Sequence, residues 1–350
     1  MQRPHGGVRG VRWDLSVNTN PFPPPQVAEA VSECVESGVL RVYPDPGYAG
    51  LRSVLSDYYG VPSEAVVPTG GAAEAINLVV AAASPRFVVT VSPTYGEADL
   101  EALCSVIGCS VIKYVMVDEG GRLLLDLGGL VSLVRGLGGG VLAYLTSPNN
   151  PSGAPLGCGE VVDELSAAGA LVVVDTSYRD MSCARPELLC GDAVVVHSLT
   201  KWAGLPGLRA GMAVVGDDLL RERVVRLRQP WSVSSLADCV FRRALVDADG
   251  VREWMAGVVE RVRELRDELV RGVREAGFYP YPSVTNYVLI RHDGIDSEEF
   301  FRAMLARGVG VRPAHTFAGL SRYHTRVSVA GGEAVRAFLE AIEGLGSRGT

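Results

Sequence analysis

The sequence predicts an α/β protein built on a mostly parallel central sheet, followed by a smaller α/β unit. Three observations carry that expectation. From Phe87 onward, short β-branched runs alternate with helix-compatible segments, the rhythm of βαβ units. The runs are continuously apolar, as expected of strands covered on both faces. The chain has 350 residues, 47% of them hydrophobic, which is enough to bury a large core in one large or two ordinary domains.

In chain order, Pro21–Pro25 marks an extended N-terminal arm that docks against the rest instead of folding alone. Thr69-Gly70-Gly71-Ala72-Ala73-Glu74 is a glycine turn opening an apolar helix. The strand-like runs are 87–92, 110–117, 139–147, 170–177, 192–199 and 210–216. After Pro230 an amphipathic stretch over about 251–277 carries Val, Leu and Met at helical spacing, with Arg/Glu pairs on its other face. Strands near 285–291, 310–313 and 325–330, a helix over 297–307 and a C-terminal helix complete the smaller unit. No internal repeat is visible.

Composition excludes several classes. A formal charge of −7 argues against a general electrostatic grip on nucleic acid or anionic lipid. Apolar runs such as 78–83 and 170–174 fall far short of the roughly 20 residues of a membrane helix, and the first residues hold no apolar signal core. A cytoplasmic location is expected. Seven cysteines, Cys34, Cys104, Cys109, Cys158, Cys183, Cys190 and Cys239, contain no CxxC pair. They read as small buried hydrophobes, with neither a metal site nor a disulfide framework expected.

The 33 basic residues include only two lysines, Lys113 and Lys201. Arginine can supply an exposed charge as well as lysine can, but a guanidinium cannot lose its proton and attack a carbonyl. Each surviving lysine therefore needs a reason. Lys113 lies inside a strand, where an edge or snorkelling lysine suffices. Lys201 follows a strand in Ser198-Leu199-Thr200-Lys201, with Gly204, Gly207 and Arg209 close behind. Hydroxyls and Arg209 there could hold a phosphate while Lys201 reacts beside it.

Two other loops after strands are chemically loaded, and ligands of open α/β sheets sit beyond such carboxyl ends. One is Ser147-Pro148-Asn149-Asn150-Pro151-Ser152-Gly153; the other starts at Asp175, which ends an apolar run and has Tyr178 three residues on. A carboxylate in that position costs free energy unless it meets a cation or donors.

In order and spacing these motifs resemble the fold-type-I pyridoxal-phosphate (PLP) enzymes, specifically the class I/II aminotransferases near histidinol-phosphate aminotransferase and threonine-phosphate decarboxylase. The resemblance runs from Asp14 to about Gly331. It implies that Lys201 forms the internal aldimine with PLP, that Asp175 faces the pyridine nitrogen, and that Asn150 and Tyr178 hold the ring hydroxyl oxygen. It also implies that Tyr95 stacks on the ring, and that Ala72 and Ala73 N–H groups, Ser198, Thr200 and Arg209 hold the phosphate. Tyr43 would reach the phosphate from the partner subunit of a homodimer with shared sites. The substrate carboxylate would meet Arg326, with Arg312, Asn20 and His5 as helpers. Asp175-Thr176-Ser177-Tyr178 departs from the family's usual Asp-Glu-Ala-Tyr or Phe. The implied organisation is an arm over 1–44, serving the small domain and the dimer, a large PLP-binding domain over 45–235 and a small domain over 236–350.

The resemblance leaves the reaction between two branches, because cofactor residues do not choose which bond at the substrate Cα breaks. Transamination of an α-amino acid or phosphorylated amino compound is the first expectation. Decarboxylation of O-phosphothreonine is the second, favoured by His5-Gly6-Gly7, by the 229–236 segment and by Phe317-Ala318-Gly319-Leu320. A non-catalytic PLP-binding sensor would need a DNA-binding helix-turn-helix, for which the residues before Asp14 leave no room. A dinucleotide-binding dehydrogenase is disfavoured because no GxGxxG follows an early strand.

Overall fold

A computed structural model describes residues 6–157, 159–184, 188 and 191–345. Seven strands form the central sheet: β1 (Val66–Thr69), β2 (Phe87–Ser92), β3 (Ser110–Val115), β4 (Val141–Thr146), β5 (Ala170–Asp175), β6 (Val194–Ser198) and β7 (Gly211–Val214). Their spatial order is β1-β7-β6-β5-β4-β2-β3, and β7 alone runs against its neighbours. Strands β4 and β6 are buried along their whole length, which accounts for the apolar runs 141–145 and 194–196. Successive side chains serve opposite faces: Val195 packs with Leu199 and Trp202, whereas Val196 packs with Ile76 and Val80 of the helix Ala72–Ala83.

The smaller unit is a four-stranded antiparallel sheet in the order Tyr279–Pro280, Tyr287–Arg291, His324–Ser328, Arg312–Pro313, packed with the helices Ser297–Leu305 and Gly332–Ile342. The helix Ala248–Glu275 joins the two units. Val251, Met255, Val258 and Val262 enter the core beneath the central sheet, and Leu269 and Val273 enter the core of the smaller one. One amphipathic stripe thus couples both cores.

The arm docks at two places. Trp13–Asp14 pairs in parallel with Val309–Gly310 of the smaller unit. Beyond the prolines the chain forms a helix, Pro25–Glu36, that was not expected from the sequence. Its signal is nevertheless present: Pro25 occupies the first turn, where its missing N–H costs nothing, and the buried Val27, Ala30 and Cys34 recur at helical spacing.

The reading of the cysteines needs correction. Cys34 is bonded to Cys239 across 205 residues, and Cys104 to Cys109 at the end of the helix Glu97–Ile107. Scattered positions conceal such pairs because docking of Pro25–Glu36 on the helix Ser235–Ala244 brings Cys34 and Cys239 to a Cα separation of 6.0 Å. Cys183 is exposed and free, and Cys158 and Cys190 lie outside the described residues. Lys113 sits on the edge strand β3 and pairs with Glu101 at 2.7 Å, a structural use of that lysine.

The long cross-link makes a measurable prediction. Replacing Cys34 and Cys239 together by alanine should cost about 3–5 kcal/mol, because the bond restricts the unfolded chain. Denaturant unfolding and non-reducing peptide mapping test it; an unchanged midpoint would remove the assigned contribution.

Candidate active site

The carboxyl ends of β1, β2, β4, β5 and β6 open on the same side. Because β7 runs the other way, the residues preceding it, Arg209 and Ala210, reach that side too. Two adjoining cavities lie there, of about 380 Å³ and about 80 Å³, sharing Tyr95, Asn150, Tyr178, Lys201 and Arg209 in their walls.

The smaller cavity has an anion-binding end. The helix Ala72–Ala83 starts at Gly71 without a capping side chain, so the N–H groups of its first turn are left for a ligand. Gly71 has φ +107°, and a Cβ there would come within 2.5 Å of Arg209 Nη2. A Cβ at Gly211 would meet the Ala72 nitrogen at 2.6 Å. Glycine is required at both positions for backbone and guanidinium to converge. Ser198 Oγ and Thr200 Oγ1 lie 3.1 Å apart in the same wall region, and Arg209 Nη2 donates to the Gly70 carbonyl at 3.4 Å. Glu74 turns back to accept from the Gly70 N–H.

The acidic end is Asp175. Its Oδ1 accepts from the Ser177 N–H at 2.9 Å, and its Oδ2 accepts from the Tyr144 hydroxyl at 3.4 Å. Burial pushes its carboxyl above the ordinary range, opposed by donors at Ser177 and by the charges of His197 and Lys201. A protonated ring nitrogen would restore the charged form. The Lys201 amine stands 5.8 Å from the centroid of the Tyr178 ring and makes no ion pair among the described residues. Amine, carboxylate, the wall tyrosine Tyr95 and the anion cradle in one small cavity fit a phosphate-bearing aromatic aldehyde such as PLP.

The larger cavity has a cationic wall. Arg326, 6% exposed, donates from Nη1 to Asn150 Oδ1 at 2.6 Å and from Nη2 to the Ser16 carbonyl at 2.7 Å, while its Nε has no partner. Three of its five N–H donors remain for a ligand. Because Asn150 accepts through Oδ1, its amide nitrogen is the group left to donate into the cofactor cavity. Arg312 donates to the Pro313 carbonyl and to Thr316 Oγ1; burial, and then the neighbouring Arg326, lower it to about 10. Neither guanidinium pairs with a carboxylate among the described residues, an arrangement that costs free energy until an anion arrives.

Other expected positions fall elsewhere. Asn20 is spent on other partners: its amide donates to the Phe22 carbonyl of its own loop and to the distant Trp202 carbonyl, and its oxygen accepts from the Phe22 N–H. The asparagine in the cavity wall is Asn18, whose side-chain nitrogen and oxygen are buried without partners. The alternation Asn18-Thr19-Asn20 contained both candidates, and only the docked path of the arm selects between them. Tyr43 is 76% exposed and stacks on Trp231, outside both cavities. His5 lies outside the described residues, although Gly6 lines the larger cavity. Tyr287 was not anticipated; it lies under the Arg326 guanidinium at 5.5 Å and meets Tyr178 edge-on at 4.9 Å.

The uncompensated cations predict ligand-linked stability. A saturating dicarboxylate such as 2-oxoglutarate should raise the thermal midpoint by about 2–4 °C, and Arg326→Met should lose most of that shift. Scanning fluorimetry with and without the anion reads both; an equal shift in the variant would dissociate Arg326 from anion binding.

Comparisons with known proteins identify the family. A family model described as aminotransferase class I and II matches residues 13–342. A histidinol-phosphate aminotransferase of Roseiflexus castenholzii is 29% identical, over 79% of this chain and 74% of its own. Among solved structures, the histidinol-phosphate aminotransferase of Clostridium acetobutylicum superposes with a TM-score of 0.84 at 20% identity, covering 96% of this chain and 99% of its own. L-threonine-O-3-phosphate decarboxylase of Porphyromonas gingivalis superposes with a TM-score of 0.76 at 22% identity, covering 93% and 97%. With the match extending over almost the whole sequence, the chain belongs to the class I and II aminotransferases, a family that works with pyridoxal phosphate.

Proposed function

We infer that this chain transfers an amino group from an α-amino acid or phosphorylated amino compound, of the histidinol-phosphate type, to a 2-oxo acid. The observation that carries the reading is the position of Lys201: it lines the small cavity together with the buried Asp175 and the anion cradle, and also the adjoining cavity that holds Arg312 and Arg326. The relatives named for histidinol phosphate support the substrate class.

Bound PLP supplies an aldehyde carbon and an electron-accepting ring. The protein's residues do the rest. The Ala72 and Ala73 N–H groups, Ser198, Thr200 and Arg209 would hold the phosphate. Asp175 would accept from the ring nitrogen and keep it protonated. The Asn150 amide and the Tyr178 hydroxyl would orient the ring hydroxyl oxygen, and Tyr95 would pack against the ring. Arg326 and Arg312 would grip the substrate's carboxylate or phosphate and so orient its Cα. The Lys201 amine would take the proton from the substrate Cα and hold it for return.

The exposed Tyr43–Trp231 pair fits the reading in which a second copy of the chain brings Tyr43 to the phosphate, in a homodimer with shared sites. No helix among the described residues is long and apolar enough to cross a membrane.

The deciding experiment incubates the PLP-loaded protein with histidinol phosphate and 2-oxoglutarate, and separately with O-phosphothreonine, assaying glutamate and carbon dioxide. Glutamate from the first mixture is the expected result. Carbon dioxide without glutamate would replace transamination by decarboxylation. Lys201→Ala should abolish turnover and the borohydride-sensitive visible band; normal turnover in that variant would exclude the assigned role.

A further inference from the structure

Behind the wall that carries Asp175 lies a buried cluster that the functional reading does not use. His197, on β6, is fully enclosed. Its Nε2 lies 3.0 Å from Asp180 Oδ2 and 3.0 Å from the Tyr59 hydroxyl. Its Nδ1 lies 3.0 Å from the Thr176 carbonyl and 3.0 Å from Thr176 Oγ1. The Tyr59 hydroxyl also donates to Asp180 Oδ2 at 3.2 Å, and Arg179 Nη1 donates to Asp180 Oδ1 at 2.9 Å.

These partners decide where the protons are. A carbonyl only accepts, so Nδ1 carries a hydrogen toward Thr176. The Thr176 hydroxyl gives its own proton to the Val196 carbonyl at 3.3 Å and turns a lone pair to the ring. At the other nitrogen, a bare Nε2 would set its lone pair against the Asp180 carboxylate. This acceptor set asks both nitrogens to donate, the hydrogen-bond pattern of an imidazolium. Although burial pushes the Asp180 carboxyl up, His197, Arg179 and Tyr59 together hold it below its ordinary value.

Thr176 is also the residue after Asp175. Its N–H donates to the Val196 carbonyl at 2.9 Å, so the ring and β6 clamp the turn on which Asp175 stands. The Asp175-Thr176-Ser177-Tyr178 sequence, which departs from the family pattern, thereby supplies the hydroxyl that His197 uses.

We propose that His197 is a positioning residue, a buried imidazolium that clamps the Asp175–Ser177 turn and places positive charge behind the carboxylate that would face the cofactor's ring nitrogen. The proposal rests on the reading of Asp175 as the partner of PLP. The charged and titratable groups around the ring are Asp180, Tyr59 and Arg179 on one side and Asp175 and Lys201 on the other.

The test compares wild type with His197→Gln, His197→Arg, Asp180→Asn and Asp175→Asn. In the PLP-free protein, nitrogen-15 NMR of the imidazole resonance that is absent from His197→Gln is expected to show both ring nitrogens protonated at neutral pH. A single neutral tautomer there overturns the proposal. In the loaded protein, His197→Gln should weaken PLP binding about three- to tenfold by equilibrium dialysis. It should also move the pH midpoint of the visible band upward, with His197→Arg returning it toward wild type. Loss of thermal stability with midpoint and affinity unmoved would make His197 merely structural and defeat the proposal. Should His197→Gln fail to fold, Asp180→Asn is read in its place, with the same expected direction and the same overturning result. Asp175→Asn separates the two layers. If it alters neither the band nor PLP affinity, the cofactor reading itself fails. If it alters both and His197→Gln alters neither, only the role of His197 falls.

Discussion

Buried charge that the protein does not itself neutralise governs the design of this molecule. Arg326 and Arg312 stand almost entirely out of water without a carboxylate partner among the described residues, and Arg326 makes the charge on Arg312 less favourable. Asp175 is pushed toward its neutral form by burial, and Lys201 makes no ion pair there. Such groups destabilise a fold unless a ligand completes them. On the proposed function, a phosphate, a ring N–H and a substrate anion would supply the missing counter-charges along the two adjoining cavities.

Holding those charges in register is the work of the sheet. Parallel strands bring their carboxyl ends to one side, and the single reversed strand β7 adds Arg209 from its amino end. Close approach then depends on two glycines, Gly71 and Gly211, where any side chain would collide with the guanidinium or the helix start. The substrate wall comes from elsewhere: Arg326 and Arg312 lie on the smaller antiparallel sheet, and Ser16 and Asn18 on the docked arm. The helix Ala248–Glu275 contributes to both cores, so the two walls are tied through packing as well as through the chain.

The polar layer behind Asp175 is of a different kind. His197, Asp180, Tyr59 and Thr176 are satisfied by one another, and a fully satisfied buried network is rigid where a partly satisfied one is costly. The cavity side keeps unmet charge for ligands; the rear side spends its hydrogen bonds on fixing the turn that presents Asp175.

Much of this was legible in the sequence because the signals are local. Continuous apolar runs mark doubly covered strands, the survival of Lys201 among arginines marks an amine that a guanidinium cannot replace, and the residues after each strand lie at ligand-binding ends by the geometry of βαβ units. What the sequence could not determine are relations between distant segments. Cys34 finds Cys239 only when two helices pack, and Asn18 is chosen over Asn20 only by the path of the arm. His197 acquires charge only from partners contributed by the helix Ala49–Tyr59 and the loop after β5. Pattern along a chain reports which face is buried; it carries no record of which polar atoms meet across the interior, and those meetings place the protons.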